Sequence, residues 1–259
     1  MNKYNVYLST GSGKVREINE DNFIINETIK DDNKSVQHIK GEKISEPILC
    51  GVFDGMSGER GGYDASNTAA LIAVEYYKYL KNSNQTPEKS IITYIKNCNH
   101  FIKKNMKEKK ITRGGTTFAL AFIDQDAIHL FSMGDSRIYY YSNGLLKQIS
   151  RDHTLAQKKY EANIFTKEEA KNSPDSHKLT RFLGMDCESA DFKPEVYNPI
   201  SLKKGDKLLI CSDGLYDMCN DKTTETILTN TKSYSMELYN AALKNGGIDN
   251  ITCLIVEKA

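Results

Sequence analysis

Four aspartates stand where apolar, strand-like runs end or begin, and this recurrence constrains the fold more than any other feature of the chain. Asp54 follows the run Ile48 to Phe53 and precedes Gly55; Asp135 lies in MGDSR; Asp213 closes the run in LLICSDGL; Asp249 stands in GGIDNIT, just ahead of Ile251. The first three adjoin a glycine directly, and Gly246-Gly247 shortly precede the last. Taken singly, an Asp-Gly pair is a turn. Four acids at the ends of neighbouring strands, however, would converge on one sheet edge, where packed carboxylates repel each other. A hard cation removes that conflict. Oxygen-only ligands favour Mg²⁺, Mn²⁺ or Ca²⁺ over zinc or copper. No window shows the alternating acids of an EF-hand. A few carboxylates from distant segments suit Mg²⁺ or Mn²⁺, which keep several waters.

The pattern predicts strands at Tyr4–Ser9, Asn22–Glu27, Ile48–Phe53, Thr116–Ile123, Ala127–Met133, Arg137–Tyr141, Lys207–Cys211 and Ile251–Glu257. Two long amphipathic helices are inserted after the third strand. One begins near Asp64 with Ala65, Ala69, Ile72, Ala73, Tyr76 and Leu80 on one face; the other opens at Thr86-Pro87 with the stripe Ile91, Ile95, Cys98, Ile102 and Met106. A third helix runs from about Tyr234 to Lys244 and stops at Asn245-Gly246-Gly247. This order predicts an α+β layered domain with antiparallel sheet, spanning 1–259 as one unit. Residues 151–182 are polar, too long for an ordinary connection, and read as a functional flap.

Composition narrows the function classes. Thirty-five Lys+Arg against 34 Asp+Glu give a formal charge of +1, so no global field points to nucleic acid or an anionic membrane. The N-terminal stretch lacks a signal-peptide core, and no run approaches the roughly 20 apolar residues of a membrane helix, so the expectation is a soluble cytoplasmic protein. The six cysteines are widely spaced without a C-x-x-C pair, which argues against structural zinc and a disulfide framework. Gly11-Ser12-Gly13-Lys14 is not a phosphate-binding P-loop, because Leu8 and Val15 stand where glycine and Ser/Thr are needed; Arg16 likewise breaks a dinucleotide-binding G-x-G-x-x-G. Beside an acid–metal cluster, the Arg16 guanidinium is suited to bidentate capture of phosphate.

The segments VREINED, VFDGMSG, GGTTFALAF, MGDSR, SRDHT, LTRFLG, LLICSDGLYD and DNIT occur in the order and spacing of the metal-dependent protein serine/threonine phosphatases, type 2C or PPM, in the compact bacterial form. The resemblance spans about residues 10 to 257. It implies a four-layer αββα sandwich, a central antiparallel β-sandwich flanked by helix pairs, with a binuclear Mn²⁺/Mg²⁺ centre at one end. By this resemblance Asp54 bridges both metals, Asp213 and Asp249 hold the first, and the Gly55 carbonyl the second. Glu20 and Asp21 hold the second metal directly or through water, and Arg16 binds phosphate. Asp135 with Asp213 matches a third-metal site, Asn250 orients Asp249, and Gly114 to Thr117 begin a core strand in a packing role.

The implied reaction is direct attack by metal-bound hydroxide on phosphoserine or phosphothreonine, without a phosphoenzyme. No cysteine lies in a C-x₅-R phosphatase loop. Phosphoprotein substrates and an opposing serine/threonine kinase are the implied partners, and a monomer the implied state. Two other readings stay open: a catalytically dead member that binds phosphoproteins, and a phosphatase for small phosphoesters. The chain departs from the family after Asp54-Gly55. Met56 cannot donate a proton as the histidine of animal members is proposed to do, Ser57 replaces a glycine, and Glu59 stands where histidine is common. His153 borders the flap; it reads either as a hydrogen-bonded sheet-edge residue or as a substitute proton donor.

Overall fold

The computed structural model describes residues 2–56, 61–189 and 192–259. Ser57 and Glu59, where the loop departs from the family text, lie outside the described residues. The elements in chain order begin with β1 (Lys3–Gly11), β2 (Asn22–Ile25), β3 (Thr28–Ile29), β4 (Val36–Ser45), β5 (Ile48–Phe53) and β6 (Gly55–Met56). Helices α1 (Gly61–Asn82) and α2 (Pro87–Lys109) come next, then β7 (Gly115–Thr116), β8 (Phe118–Asp124), β9 (Ala127–Met133), β10 (Arg137–Ser142) and β11 (Leu145–Gln148). The remainder is α3 (Leu155–Glu161), α4 (Lys167–Asn172), β12 (Glu195–Val196), β13 (Lys207–Cys211), α5 (Asp213–Tyr216), α6 (Asp221–Asn230), α7 (Tyr234–Lys244) and β14 (Ile251–Lys258).

Two six-stranded sheets carry the fold, ordered β11-β10-β13-β14-β1-β4 and β12-β9-β8-β5-β2-β3, and every pairing in them is antiparallel. Strand β5 shows why its sequence is apolar throughout. Ile48, Cys50 and Val52 point between the sheets with Val6, Leu8 and Leu254, while Leu49 and Phe53 point the other way into the Ala69, Ala73, Ile91 and Ile95 faces of α1 and α2. A strand buried on both faces has no polar side to alternate with. The outer face of the first sheet is covered by α5, α6 and α7 through Leu215, Leu228, Leu238 and Ala242 against Leu209, Cys211, Cys253 and Ile255. The layers are thus helix, sheet, sheet, helix, as expected.

Several boundaries differ from the expectation. Thr116–Ile123 is two strands: β7 pairs with β6, and β8 joins the large sheet. Between them Thr117 turns to the Asp54 loop, so this segment does more than pack. Helix α1 starts at Gly61, ahead of Asp64. Thr86 occupies the N-cap position of α2, yet its hydroxyl makes no capping hydrogen bond. Strand β4 and helix α6 were not expected. Residues 151–182 hold two short helices, α3 capped by Thr154 and α4 by a Thr166/Glu169 capping box. Lys159 of α3 reaches Asp175, in the turn after α4, at 2.5 Å, and His153, just ahead of α3, ties the segment to Gly134.

Antiparallel pairing gathers the key loops at one end. Phe53 at the end of β5 is paired with Asn22 at the start of β2, and Phe118 at the start of β8 with Met133 at the end of β9. In the other sheet, Cys211 at the end of β13 faces Cys253 in β14, and Gly11 at the end of β1 faces Ile251. Asp21, Asp54, Asp135, Asp213 and Asp249 therefore leave the two sheets on the same side.

Candidate metal centre

The two sheet ends are stitched through a buried carboxylate. Asp21 is 1% exposed, and it accepts hydrogen bonds from Ser212 Oγ at 2.8 Å and Thr252 Oγ1 at 2.6 Å. Burial, with Asp213 and Asp249 nearby, pushes its pKa up to about 7. Asp54 is held by its main chain: its N–H donates to Thr117 Oγ1 at 3.2 Å, and its carbonyl accepts from Thr117 N–H and Thr116 Oγ1, both at 2.9 Å. Its carboxyl pKa lies well above the usual range because burial removes water and because Asp213, Asp21, Asp135 and Asp249 surround it. Burial also raises Glu20, whose Oε1 accepts from Tyr63 N–H at 3.2 Å.

Close backbone approach requires glycine twice here. A Cβ at Gly55 would stand 2.4 Å from the Gly62 carbonyl oxygen and 2.5 Å from that of Glu20, and one at Gly214 would stand 2.0 Å from the Asn250 oxygen. These glycines bring the β5 loop against the Glu20 loop, and α5 against the start of β14.

Asp135 is 4% exposed, and its carboxyl is raised chiefly by desolvation and then by Asp213. His177, from the turn after α4, reaches the same place. Its Nδ1 lies 3.4 Å from Asp213 Oδ2 and its Nε2 3.4 Å from Asp217 Oδ2, and these acids raise its pKa to about 9. Ligand atoms of Asp135, His177 and Asp213 lie within 4.8 Å of one another. Neither His177 nor Asp217 was singled out from the sequence. The signal available was Asp213-x-x-x-Asp217, an i,i+4 spacing that turns two acids to one side of a helical turn.

Arg16 is 57% exposed and its Nη2 donates to Asp249 Oδ2 at 2.7 Å. Asn250 differs from its expected role. Its side-chain amide donates to the carbonyls of Ser12 and Ile18 and accepts from Glu20 N–H, pinning the loop that carries Arg16 and Glu20; only its main-chain N–H reaches Asp249, at 2.8 Å. His153 is 3% exposed, accepts at Nδ1 from Gly134 N–H at 2.9 Å, and faces Glu195 and Arg181 with Nε2, each at 3.3 Å. Burial lowers its pKa. This is the geometry of a structural histidine that positions Gly134-Asp135.

The donor set fits a hard-cation site. Glu20, Asp21, Asp54, Asp135 and Asp217 all have raised carboxyls, with Asp213 or Asp249 among the acids that raise them, while Arg16 and Lys30 stand beside Glu20, and His177 and Arg137 beside Asp217. Arg137 is itself taken by Asp152, 2.7 Å away. Acids that raise one another's pKa in this way are poised to bind divalent ions.

The protein phosphatase 2C family profile matches residues 24–245. The chain belongs to the protein phosphatase 2C family. It is 31% identical over 96% of its length to the serine/threonine phosphatase stp of Listeria monocytogenes, covering 94% of that protein. It is also 31% identical over 97% of its length to a putative protein phosphatase 2C-type of Streptococcus pyogenes, covering 96% of it. The S. agalactiae serine/threonine phosphatase superposes with a TM-score of 0.80 at 25% identity, over 99% of this chain and all of that one. The phosphatase is therefore an enzyme of the metal-dependent serine/threonine class, and the sandwich described above is that family's fold. No helix among the described residues is long and apolar enough to cross a membrane.

Proposed function

We propose that the phosphatase removes phosphate from phosphoserine and phosphothreonine in cytoplasmic proteins, opposing a serine/threonine kinase, with two Mn²⁺ or Mg²⁺ ions held by Asp54, the Gly55 carbonyl, Asp213, Asp249, Glu20 and Asp21. The observation that carries this reading is the convergence of these carboxylates on one edge, with Asp54 raised by four acidic neighbours. Among solved relatives, the PstP catalytic domain has been described with two manganese ions. When bound, such ions supply Lewis acidity, lowering the pKa of water toward ~7 and offsetting charge on the phosphoryl group.

The chain's own residues supply the rest. Thr116 and Thr117 fix the Asp54 main chain, and Ser212 and Thr252 fix Asp21. Arg16, solvent-facing at 57% exposure, would turn its guanidinium to the nonbridging oxygens of the phosphate. Asp135 and Asp213, with His177 adjoining, form a third-ion site. Met56 offers no proton, and His153 is 3% exposed with Nε2 turned to Glu195 inside the fold, so neither supplies the leaving-group proton. Residues 151–182 form the flap over this edge and are where selectivity among phosphoproteins would reside.

Turnover of p-nitrophenyl phosphate and of a phosphothreonine peptide with Mn²⁺, with EDTA, and in Asp54→Asn and Asp213→Asn tests the proposal. Activity should require metal and collapse in both variants. Metal-independent turnover, or full activity in either variant, would overturn it. Turnover of the small ester without the peptide would favour a small-phosphoester phosphatase.

A further inference from the structure

A groove of about 540 Å³ runs along α2, between that helix and the side chains of Cys187 and Phe192, outside the metal centre. Lys96, His100, Lys103 and Lys107 recur at the three-and-four spacing of one helix face, with Lys104 beside them. All five are exposed. The lining is mainly apolar, with Phe192 half-buried against the core behind it. Lys96 and Lys107 make no ion pair among the described residues. Lys103 is 3.7 Å from Asp186 and Lys104 is 3.9 Å from Glu108, both solvent-exposed pairs that compete weakly with a partner. The whole chain carries only +1, so this positive charge is a local concentration.

The groove is rigidly joined to the metal edge. Asn99, 2% exposed, accepts from Gly184 N–H at 2.7 Å and donates to the Met185 carbonyl at 3.2 Å, locking the far wall onto α2. One residue earlier, Leu183 exchanges main-chain hydrogen bonds with Thr116, whose hydroxyl donates to the Asp54 carbonyl. At its C-terminal end α2 is anchored to the first turn of α1 by Lys109 and Asp64, 2.7 Å apart. We propose that this groove is a docking site for an acidic, extended segment of the phosphoprotein substrate carrying an apolar anchor residue, whose carboxylates pair with the α2 lysines while the anchor enters beside Phe192. The proposal rests on the phosphatase reading for the purpose of docking, but not for binding itself.

The test is fluorescence anisotropy in EDTA with an unphosphorylated labelled peptide of glutamates around one phenylalanine. Matched peptides have lysine for glutamate or serine for phenylalanine, and an RNA oligomer serves as competitor. Binding should be saturable, weaken with added salt, and drop ~tenfold or more in Lys96→Glu/Lys103→Glu/Lys107→Glu. A parallel Lys→Gln triple variant, checked by its melting curve, covers a folding failure. With Mn²⁺, a phosphothreonine peptide bearing the acidic segment should show a ~tenfold higher KM in the variant at unchanged kcat, while p-nitrophenyl phosphate turnover is unchanged. Equal binding of the lysine peptide, equal binding to the variants, or tighter binding of RNA through the same lysines would overturn the docking site. Because anisotropy is read without metal, loss of peptide binding with phosphatase activity intact condemns the groove alone, and the reverse result condemns the catalytic reading alone.

Discussion

The guanidinium of Arg16 donates to the Asp249 carboxylate across 2.7 Å, and both side chains are partly open to solvent. The residue expected to take phosphate thus rests on a residue expected to take metal, so a cation bound at Asp249 would leave Arg16 free to face the anion. Arg16→Ala should lower kcat/KM for p-nitrophenyl phosphate about 10²-fold, the scale of one lost charge-assisted contact to a developing anion. Arg16→Lys should recover part of it, because one point charge replaces a two-pronged donor. Melting temperature should not change. Steady-state kinetics beside a thermal melt checks both statements.

Asp21 gives the metal-free protein a definite pH dependence. Its pKa of about 7 in the fold exceeds the unfolded value near ~4. Between those values the native state keeps a proton that the unfolded chain has lost, so stability is full below pH ~4 and is lost as pH rises through 7. Asp54 and Asp135, also raised, act in the same direction. His38 and His153, whose pKa values are lowered, oppose it below ~6.5 and are outnumbered. Thermal melts in EDTA should therefore fall from pH 5 to pH 8. Asp21→Asn, which can still accept from Ser212 and Thr252, should raise the metal-free Tm at pH 8 by roughly 5 °C and flatten the profile.

Divalent cation should reverse that loss. Mn²⁺ at ~100 times its Kd contributes about 2.7 kcal/mol, or roughly 5–10 °C in Tm for a chain of this size. Binding should release protons, since raised carboxyls must ionise. Calorimetry in buffers of different ionisation enthalpy reads the protons, and both effects should shrink in Asp54→Asn.

His153 is expected to matter for structure and not for proton transfer. His153→Ala leaves the Gly134 N–H without its acceptor and should destabilise the protein by about 1–3 kcal/mol. The dependence of rate on leaving-group pKa, measured over a series of aryl phosphates, should keep its slope. A steeper slope in the variant would identify His153 as the acid.

Gly214→Ala should be far more damaging than a surface Gly→Ala change. The added methyl would meet the Asn250 carbonyl oxygen at 2.0 Å, forcing α5 and Asp213 away from β14. Loss of about 1–3 kcal/mol of stability is the expected cost of such overpacking, together with weaker Mn²⁺ binding by titration calorimetry.

Elements with strong internal pattern were legible in the sequence: β5, α1, α2 and α7 announce themselves by apolar runs or helical stripes. Strand β4 did not, because VQHIKGEKIS is an edge strand with little full burial and reads as polar loop. Helix α6 hid for a related reason. Its threonines are weak helix formers, and only Thr224 and Leu228 are buried. Asp217 is marked only by its i,i+4 spacing from Asp213, and His177, in a polar turn, carries no local signal that separates it from other polar residues.

By itself the sequence determined the apolar runs that become β5, β9 and β13, the buried stripes of α1 and α2, and that acids stand at strand ends, because burial periodicity and turn chemistry are local properties. The tertiary structure alone decided which ends meet. Asp21 and Thr252 are far apart in the chain, and their 2.6 Å hydrogen bond exists only because two antiparallel sheets stack with matching edges. The same stacking turned Asn250 toward the loop of Arg16 and brought His177 to Asp213, since contacts between distant segments depend on the packing of layers that no short stretch of sequence encodes.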